Sequence, residues 1–416
     1  MIATPTDLAY DVVVVGGGPA GATVATLLCR QGHRCLVLES GKFPRYHIGE
    51  SLIPHTYGTL ERLGLLPKLR ASHFPVKHSV RFVSPSGEES DPFYFSETIA
   101  GPGAQTWQVE RSQFDQLCLD HARENGVDIR VATRCQRVLF DENQQAIGVL
   151  AQTEGERPCE IAARVVVDAS GRSTVIGTQL GLKAGVAGLE KSAVWAYYRG
   201  GKRRPGIDAG ETTVFMIPDR GWFWYIPLPD DVVSVGVVAS PGYLFRDGQD
   251  FATAYAREVA ACQPLSEMLV GAERTSQVRG IRTMAYRNRR VAGRGWVMIG
   301  DSAAFLDPIY SSGLFLAMKS AELAADCIHP ALLAGDVSAE KLGAFGPDLM
   351  RGVEVIRSLV HAFYDPQFSF RDFVERFPDQ RSALIDCLVG DVVEKDMRPF
   401  LTSLAEMTPP PPAWDA

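Results

Sequence analysis

The stretch Tyr10 to Ser40 reads YDVVVVGGGPAGATVATLLCRQGHRCLVLES, and it has the pattern of a strand, a glycine-rich turn, a helix and a second strand. Residues 12–15 are all valine, which is typical of a parallel strand that is covered on both faces. The pattern predicts a helix over 22–31, stopped by Gly32, and a second strand over 34–38. It therefore predicts an α/β domain built on a parallel sheet.

The turn GGGPAG at 16–21 has the spacing of a dinucleotide-binding fingerprint. Gly16 permits the tight turn, Gly18 lets the backbone approach a pyrophosphate, and Gly21 lets the helix pack closely on the strand. The unpaired N–H groups of the helix N-terminus face the phosphates. Glu39, at the end of the second strand, is placed to bind the hydroxyls of an adenosine ribose. The fingerprint predicts a nucleotide site without choosing between NAD and FAD.

Composition excludes several other classes of protein. A formal net charge of −7 over 416 residues argues against nucleic acid as the principal partner. No apolar run approaches the ~20 residues that span a membrane, and no signal segment precedes the first strand. The eight cysteines are scattered singly, so neither a metal site nor a disulfide framework is indicated. We expect a cytoplasmic protein with reduced thiols and no metal.

Three later residues, each at the end of a predicted strand, are expected to lie near the glycine turn. Arg111 stands where a short strand enters a helix, and a strand over 161–167 ends at Asp168. Another strand, ending at Ile299, leads to Asp301. Open α/β sheets bind ligands beyond the carboxyl ends of their strands, so these side chains should line one crevice.

The remaining segments predict a second lobe and a helical tail. Residues 194–240 carry four short runs of β-branched and aromatic residues between Pro and Gly, which predicts an antiparallel sheet. A last short strand of this lobe is predicted over 283–286, and 346–404 should be mainly helical. A helix over 54–63 is predicted, with Ser51 able to cap it.

The predicted fold class is therefore α/β, with a Rossmann-like nucleotide domain interleaved with an antiparallel-sheet substrate domain and followed by a helical C-terminal region. The predicted nucleotide domain is discontinuous, over 1–75, 105–185 and 285–335. The substrate-facing β-rich domain is predicted over 76–104 and 186–284, and the helical region over 336–416.

The order of the fingerprint, Arg111, the DASGR run at 168–172 and Gly300-Asp301 resembles the FAD-dependent monooxygenases with the p-hydroxybenzoate hydroxylase type of fold. Further motifs look like the flavin-dependent halogenases, and closest to the branch that acts on pyrroles and phenols, many of them tethered to carrier proteins. These motifs are Gly49-Glu50-Ser51, WFWYIP at 222–227, and Asp307-Pro308 with Ser311-Ser312-Gly313.

The resemblance assigns roles to individual residues. Lys77, in FPVK at 74–77, matches the lysine that the family uses for halogen transfer, although a lysine in a loop is usually a solvated surface charge. Trp222 and Trp224 would separate the flavin from the substrate cavity, and Ser312 and Gly313 would offer N–H groups to a halide. The residues assigned to FAD, from the fingerprint and the resemblance together, are Gly16, Gly18, Ala20, Gly21, Glu39, Arg45, Ser51, Arg111, Asp168, Asp301 and Gly313.

The resemblance also implies the reaction and its partners. Reduced FAD and O₂, with chloride or bromide, would yield hypohalous acid for an electron-rich aromatic that is either free or bound to a carrier protein. No second glycine fingerprint for a nicotinamide is evident, so a separate NAD(P)H-dependent flavin reductase is expected. Two alternatives share FAD without needing Lys77: an aromatic hydroxylase and a geranylgeranyl-reductase-like oxidoreductase. A third is a non-catalytic flavoprotein scaffold.

The tryptophan-halogenase branch is less favoured, because no acid comparable to its catalytic glutamate can be located and the C-terminal portion is short. The substrate, the halide, carrier tethering and the oligomeric state stay open.

Overall fold

The protein contains two large sheets and a helical C-terminal region. Its computed structural model describes residues 10–217, 221–282 and 284–414. The described strands, in chain order, are β1 (Tyr10–Val15), β2 (Cys35–Leu38), β3 (Val76–Lys77), β4 (Ser79–Val83), β5 (Phe93–Tyr94), β6 (Thr106–Trp107), β7 (Asp128–Arg130), β8 (Thr133–Phe140), β9 (Ala146–Thr153), β10 (Cys159–Asp168), β11 (Lys183–Gly185), β12 (Ser192–Arg199), β13 (Thr212–Ile217), β14 (Gly221–Pro227), β15 (Val232–Ala239), β16 (Glu273–Arg274), β17 (Arg279–Ile281), β18 (Tyr286–Asn288), β19 (Ala292–Gly293), β20 (Trp296–Met298) and β21 (Ala304–Phe305).

The described α-helices, in the same order, are α1 (Pro19–Arg30), α2 (Thr56–Arg62), α3 (Leu66–Arg70), α4 (Arg111–Glu124), α5 (Val175–Gln179), α6 (Pro241–Leu244), α7 (Phe251–Ala261), α8 (Gln263–Met268), α9 (Ser312–Ala334), α10 (Ala339–Leu342), α11 (Gly346–Tyr364), α12 (Phe370–Arg376), α13 (Arg381–Val389) and α14 (Arg398–Ala405). The predicted fold class is confirmed. No helix among the described residues is long and apolar enough to cross a membrane.

The first sheet has the strand order β19-β20-β10-β1-β2-β7, and β1, β2, β7, β10 and β20 run parallel. Val15 pairs with Asp168 and Asp168 with Met298, so three strands end at the same level. The chain segments that follow these strands therefore meet at one edge of the sheet, although they are far apart in sequence. Helices α1 and α9 pack against each other beside this edge.

The second sheet has the order β16-β12-β15-β14-β13-β4-β5. Trp222 and Trp224 lie two residues apart on the central strand β14, so both side chains face the same side of the sheet. Gly236 of β15 faces Trp224, and a Cβ there would lie 2.1 Å from the indole ring. The absence of a side chain at Gly236 thus lets Trp224 lie across the neighbouring strand.

The strand predicted over 283–286, as the last of the second lobe, overlaps the observed strand only at Tyr286, and the observed strand lies in a different sheet. Thr283 lies outside the described residues, and the strand observed is β18, at 286–288. It pairs with β11 and β21 in a small separate sheet next to the nucleotide crevice. Sequence pattern identified a strand here, but strand partners depend on contacts between distant segments.

The observed N-termini of α1 and α2 differ from the predicted ones. Helix α1 begins at Pro19, three residues before the predicted start, because proline at the first helical position lacks only an N–H that would be unpaired anyway. Ser51 does not cap α2, which begins at Thr56 after His55; Ser51 instead makes a bridge with Gln108. The helical tail and its break after Tyr364 are confirmed.

Candidate active site

The glycine turn forms the floor of a long crevice at the edge of the parallel sheet. Gly16 has a φ of 109°, and a Cβ there would lie 2.3 Å from the Ala169 carbonyl oxygen. A Cβ on Gly21 would lie 1.9 Å from the Gly16 carbonyl oxygen, so both positions require glycine. Gly18 differs, because a Cβ at that position would have only the Arg45 guanidinium within 4 Å, at 3.4 Å. Gly18 and Ala20 border open space in the crevice, next to the N-terminus of α1.

Glu39 lines the crevice and also holds the turn together. Its Oε2 accepts a hydrogen bond from the Gly17 N–H at 2.9 Å, and its Oε1 accepts one from the Gly41 N–H at 2.7 Å. Arg45 lies 3.5 Å from Oε2. The carboxylate is therefore fixed in orientation by the loop that it faces.

A buried ion-pair cluster fixes Arg45 and Arg111, two of the arginines that line the crevice. Asp115 is fully buried, and its two oxygens accept from Arg111 Nε at 2.7 Å and from Arg45 Nη1 at 3.2 Å. Arg111 Nη1 donates to the Ile48 carbonyl at 2.8 Å and to the Gly49 carbonyl at 3.2 Å. Arg111, the first residue of α4, thus holds the 48–51 segment against the crevice.

The two predicted strand-end acids occupy different environments. Asp301 lines the crevice, and burial raises its pKa to about 6 against the opposing effects of Arg111 and Arg172. Asp168 is fully buried, and its oxygens accept from the backbone N–H groups of Ser170 and Ile176 at 3.0 and 2.7 Å. Asp168 therefore shapes the following loop from behind, and it is the next residues, 169–173, that line the crevice.

A second cavity continues from the crevice towards the antiparallel sheet. The two share Gly49, Asp301, Phe305 and Gly313 among their lining residues. The walls of the second cavity are mainly apolar and include three tryptophans. Its lining residues include Trp195, Val214, Trp222, Trp224, Ile226, Met284, Ile309 and Leu314, with Glu50, Ser51 and Asp307 as polar members. We call it the tryptophan cavity.

Trp222 is held by a residue of helix α11. Its indole N–H donates to the Tyr364 hydroxyl at 2.9 Å, and that hydroxyl donates to Asp307 Oδ2 at 3.0 Å. Asp307 Oδ1 accepts from the Ile309 N–H at 3.0 Å. Burial raises the pKa of Asp307 to about 6, while these two donors lower it. Trp224 is held differently, through its indole N–H to the Ser234 hydroxyl at 3.1 Å.

Lys77 is a buried amine, only 1 % exposed. It lies in strand β3, where it pairs with Thr106 of β6. Its Nζ donates to the Ser51 Oγ at 2.9 Å and to the Leu52 carbonyl at 3.2 Å, and it lies 5.5 Å from the centre of the Phe95 ring. Burial lowers its pKa to about 7. The solvated-surface interpretation of Lys77 is therefore wrong.

Ser51 connects Lys77 to the tryptophan cavity. Lys77 is not among the residues that line that cavity, whereas Ser51 is. The Ser51 hydroxyl also lies 3.2 Å from the Thr212 hydroxyl, which accepts from Gln108 Nε2 at 2.8 Å. Ser51 thus lies on the cavity wall between the buried amine and the cavity.

The segment before α9 forms another part of the tryptophan cavity wall. Ser311 has a φ of 53° and precedes the first helical residue, Ser312. Gly313 borders both cavities, whereas Ser312 is buried and is not among their lining residues. The N-terminus of α9 presents unpaired N–H groups at this point.

Sequence reasoning missed three polar residues of the site: Glu50, Tyr197 and Tyr364. Glu50 stands inside a motif that was recognised, yet its side chain received no role. It lines the tryptophan cavity, and its Oε1 accepts from the Tyr197 hydroxyl at 2.7 Å. Tyr197 and Tyr364 are ordinary strand and helix residues in the sequence, which carries no signal for their positions.

The chain is similar to known proteins over most of its length. The tryptophan halogenase family profile matches residues 11–105 and 96–372. A 1H-pyrrole-2-carbonyl-[peptidyl-carrier protein] chlorinase of Pseudomonas fluorescens is 28% identical, over 96% of this chain and 93% of its own. The corresponding brominase of Pseudoalteromonas luteoviolacea is 30% identical, over 92% of each. The solved structure of the flavin-dependent brominase Bmp2 superposes with a TM-score of 0.85 at 28% identity, over 95% of this chain and 98% of that one.

Proposed function

The chain belongs to the tryptophan halogenase family, and from this we propose that it is a flavin-dependent halogenase that uses reduced FAD, O₂ and chloride or bromide. The observation that carries the proposal is the buried Lys77 amine, hydrogen-bonded to a hydroxyl on the cavity wall. Neither an aromatic hydroxylase nor a reductase of isoprenoid double bonds needs such an amine. Burying an ammonium is costly, so its position calls for a functional reason.

The crevice residues fit FAD. Open space at Gly18, next to the α1 N-terminus, would admit a pyrophosphate, and Glu39 stands at the end of β2, where a ribose would lie. Arg45 and Arg111 supply positive charge along the crevice, and Asp301 would accept hydrogen bonds from the ribityl chain. The crevice continues into the tryptophan cavity, which has apolar walls suited to a planar ring.

Lys77 would direct the halogen to the substrate. Reduced flavin with O₂ supplies the oxidising equivalents that turn halide into hypohalous acid. A neutral or hydrogen-bonding amine can hold that acid or take up its halogen, and a pKa of about 7 keeps both forms of Lys77 accessible near neutral pH. The bulk of Trp222 and Trp224 would keep the substrate away from the flavin. The N–H groups near Ser312 and Gly313 would receive the halide.

We further propose that the substrate is a pyrrole or phenol, and that it is carried by a peptidyl carrier protein. The names of two relatives that match over more than nine-tenths of this chain support this choice, since both act on a carrier-bound pyrrole. The reduced flavin would come from a separate reductase, because the described fold offers one glycine fingerprint, at 16–21.

The proposal is tested by an aerobic assay with the protein, FAD, a flavin reductase, NADH and chloride or bromide. A free phenol and a carrier-bound pyrrole serve as parallel substrates, and mass spectrometry detects the halogenated product. Omission of the halide and of the reductase are the controls. Rapid stoichiometric reduction of the bound flavin by NADPH alone, without halogenated product, would count against a halogenase.

A further inference from the structure

A chain of hydroxyl groups connects the tryptophan cavity with the protein surface. Glu50 lines the cavity and is 3% exposed, and its Oε1 lies 2.7 Å from the Tyr197 hydroxyl. The Tyr197 hydroxyl lies 3.2 Å from that of Tyr46. Tyr46 is 42% exposed, lines the crevice, and accepts from the Trp195 indole N–H at 2.5 Å. Three groups that can carry protons thus follow one another from the cavity to solvent.

We propose that Tyr46, Tyr197 and Glu50 form a proton path that delivers a proton from solvent to the tryptophan cavity in each halogenation cycle. The inference rests on the proposed function. It gives Glu50 a role distinct from that of Lys77, which contacts Ser51 on a different side of the same segment.

The chemistry of halogenation requires such a proton. An aromatic C–H, a halide anion, reduced FAD, O₂ and one proton give an aromatic C–halogen bond, oxidised FAD and two molecules of water. The two electrons from reduced FAD and the two from the halide and the C–H bond reduce O₂ fully. Because the halide enters as an anion and leaves in a covalent bond, one proton is taken from solvent. A substrate cavity with mainly apolar walls needs protein groups to supply that proton.

The hydrogen bonds allow proton transfer in this direction. The Tyr197 hydroxyl is placed to donate both to Glu50 Oε1 and to the Tyr46 hydroxyl, but it has only one proton. When that proton points at Glu50, a turn of the Tyr46 O–H lets Tyr197 accept from Tyr46. Movement of a proton from Tyr46 to Tyr197, and of the Tyr197 proton to the Glu50 carboxylate, leaves a protonated acid at the cavity. Tyr46 then recovers its proton from solvent.

The surroundings of Glu50 suit a group that exchanges protons near neutral pH. Burial raises the pKa of Glu50 to about 7. The Ser234 and Tyr197 hydroxyls and the Arg111 guanidinium oppose this rise, and Glu110 adds to it. The Ser234 hydroxyl also accepts from the Trp224 indole N–H at 3.1 Å. An acid that is half protonated near pH 7 is suited to general acid catalysis.

The test compares Glu50→Gln and Tyr197→Phe with Tyr198→Phe, a control on the same strand whose side chain packs on the opposite face of the sheet. Single-turnover halogenation of a phenol by protein loaded with reduced FAD is measured between pH 5 and 9, in H₂O and D₂O. A second readout needs no flavin: infrared titration of the free protein, in which Glu50→Gln removes the band of one protonated carboxyl.

Wild type and Tyr198→Phe should slow as pH rises through about 7, where Glu50 loses its proton. Glu50→Gln should be slower by at least the ~10²-fold expected for loss of a general acid, with that pH dependence gone and FAD affinity unchanged. Tyr197→Phe should be slower, with a reduced solvent isotope effect. Unaltered rates and pH profiles in both variants, or a Glu50 band that titrates like an ordinary carboxyl, overturn the path. Failure of wild type to halogenate overturns the proposed function instead.

Discussion

The Lys77 amine and the Ser51 hydroxyl lie 2.9 Å apart, in a contact that joins strand β3 to the segment that lines both cavities. Ser51 is 5% exposed and Lys77 1%, so the pair is shielded from bulk water. In its ammonium form Lys77 has two further protons besides the one on the hydroxyl, and one of them reaches the Leu52 carbonyl at 3.2 Å. The amine is thus oriented by the segment whose Ser51 side chain borders the cavity.

Lys77→Ala should separate formation of the oxidant from its use. We expect the variant to bind FAD and consume O₂, while substrate halogenation falls by at least ~10²-fold, as for loss of a positioned proton donor. Lys77→Arg should not restore activity, because a guanidinium stays protonated and cannot become a halogen-carrying amine. Halogenated product, O₂ uptake and released hypohalous acid are measured together. Lys42→Ala, at a mostly exposed lysine paired with Glu154, is the matched control; normal halogenation by Lys77→Ala would contradict the assignment.

The depressed pKa of Lys77 predicts a pH-dependent stability. Between about 7 and 10.5 the unfolded chain holds a proton on Lys77 that the folded protein does not. The free energy of unfolding should therefore rise with pH across this window, by up to ~1.4 kcal/mol per pH unit from this group. Below about pH 7 the full cost of burying the amine is present. Urea denaturation of wild type and Lys77→Met at pH 7, 8 and 9 measures the difference, and Lys77→Met should gain most at pH 7; equal slopes would show that Lys77 titrates normally.

Gly18→Val should yield a folded protein that has lost FAD. The new side chain would enter the space proposed for a pyrophosphate, where only the Arg45 guanidinium lies within 4 Å of the new Cβ. Asp301→Ala should weaken FAD binding by removing the proposed acceptor for the ribityl chain. Gly58→Ala, at a helical glycine whose Cβ would meet nothing within 4 Å, is the control and should bind FAD as wild type does. Circular dichroism tests folding, and flavin fluorescence quenching measures affinity; tight binding by folded Gly18→Val would place the site elsewhere.

Tyr364→Phe should destabilise the protein, because it leaves the buried Trp222 N–H and one Asp307 oxygen without their shared partner. A loss of ~1–3 kcal/mol in the free energy of unfolding is expected for such unpaired buried groups. Urea denaturation measures it, and the double variant with Trp222→Phe should lose less than the sum of the single losses. Strict additivity would mean that the two side chains are not coupled. Tyr94→Phe, at a hydroxyl that donates to Asp208 at 2.9 Å in a different part of the molecule, is the control.

The sequence by itself determined the nucleotide-binding half of the fold. The valines of β1, the spacing of Gly16, Gly18 and Gly21, and Glu39 are local features within about thirty residues, and each has a steric or hydrogen-bonding reason to be there. The resemblance to flavin-dependent halogenases added the roles expected for Lys77, Trp222 and Trp224.

Only the tertiary structure decided which of these side chains meet, because long-range packing sets contacts between segments that are far apart in the chain. Asp168 lies behind the crevice, where its two oxygens accept hydrogen bonds from backbone N–H groups. The strand that follows Thr283 belongs to a small sheet that is separate from the antiparallel sheet of the second lobe. The tertiary structure brought Tyr197, 147 residues away from Glu50 in the chain, into contact with its carboxylate, and Tyr364 onto Trp222 across 142 residues. The burial of Lys77 was also visible only in the tertiary structure, because the residues that surround its amine come from other segments of the chain.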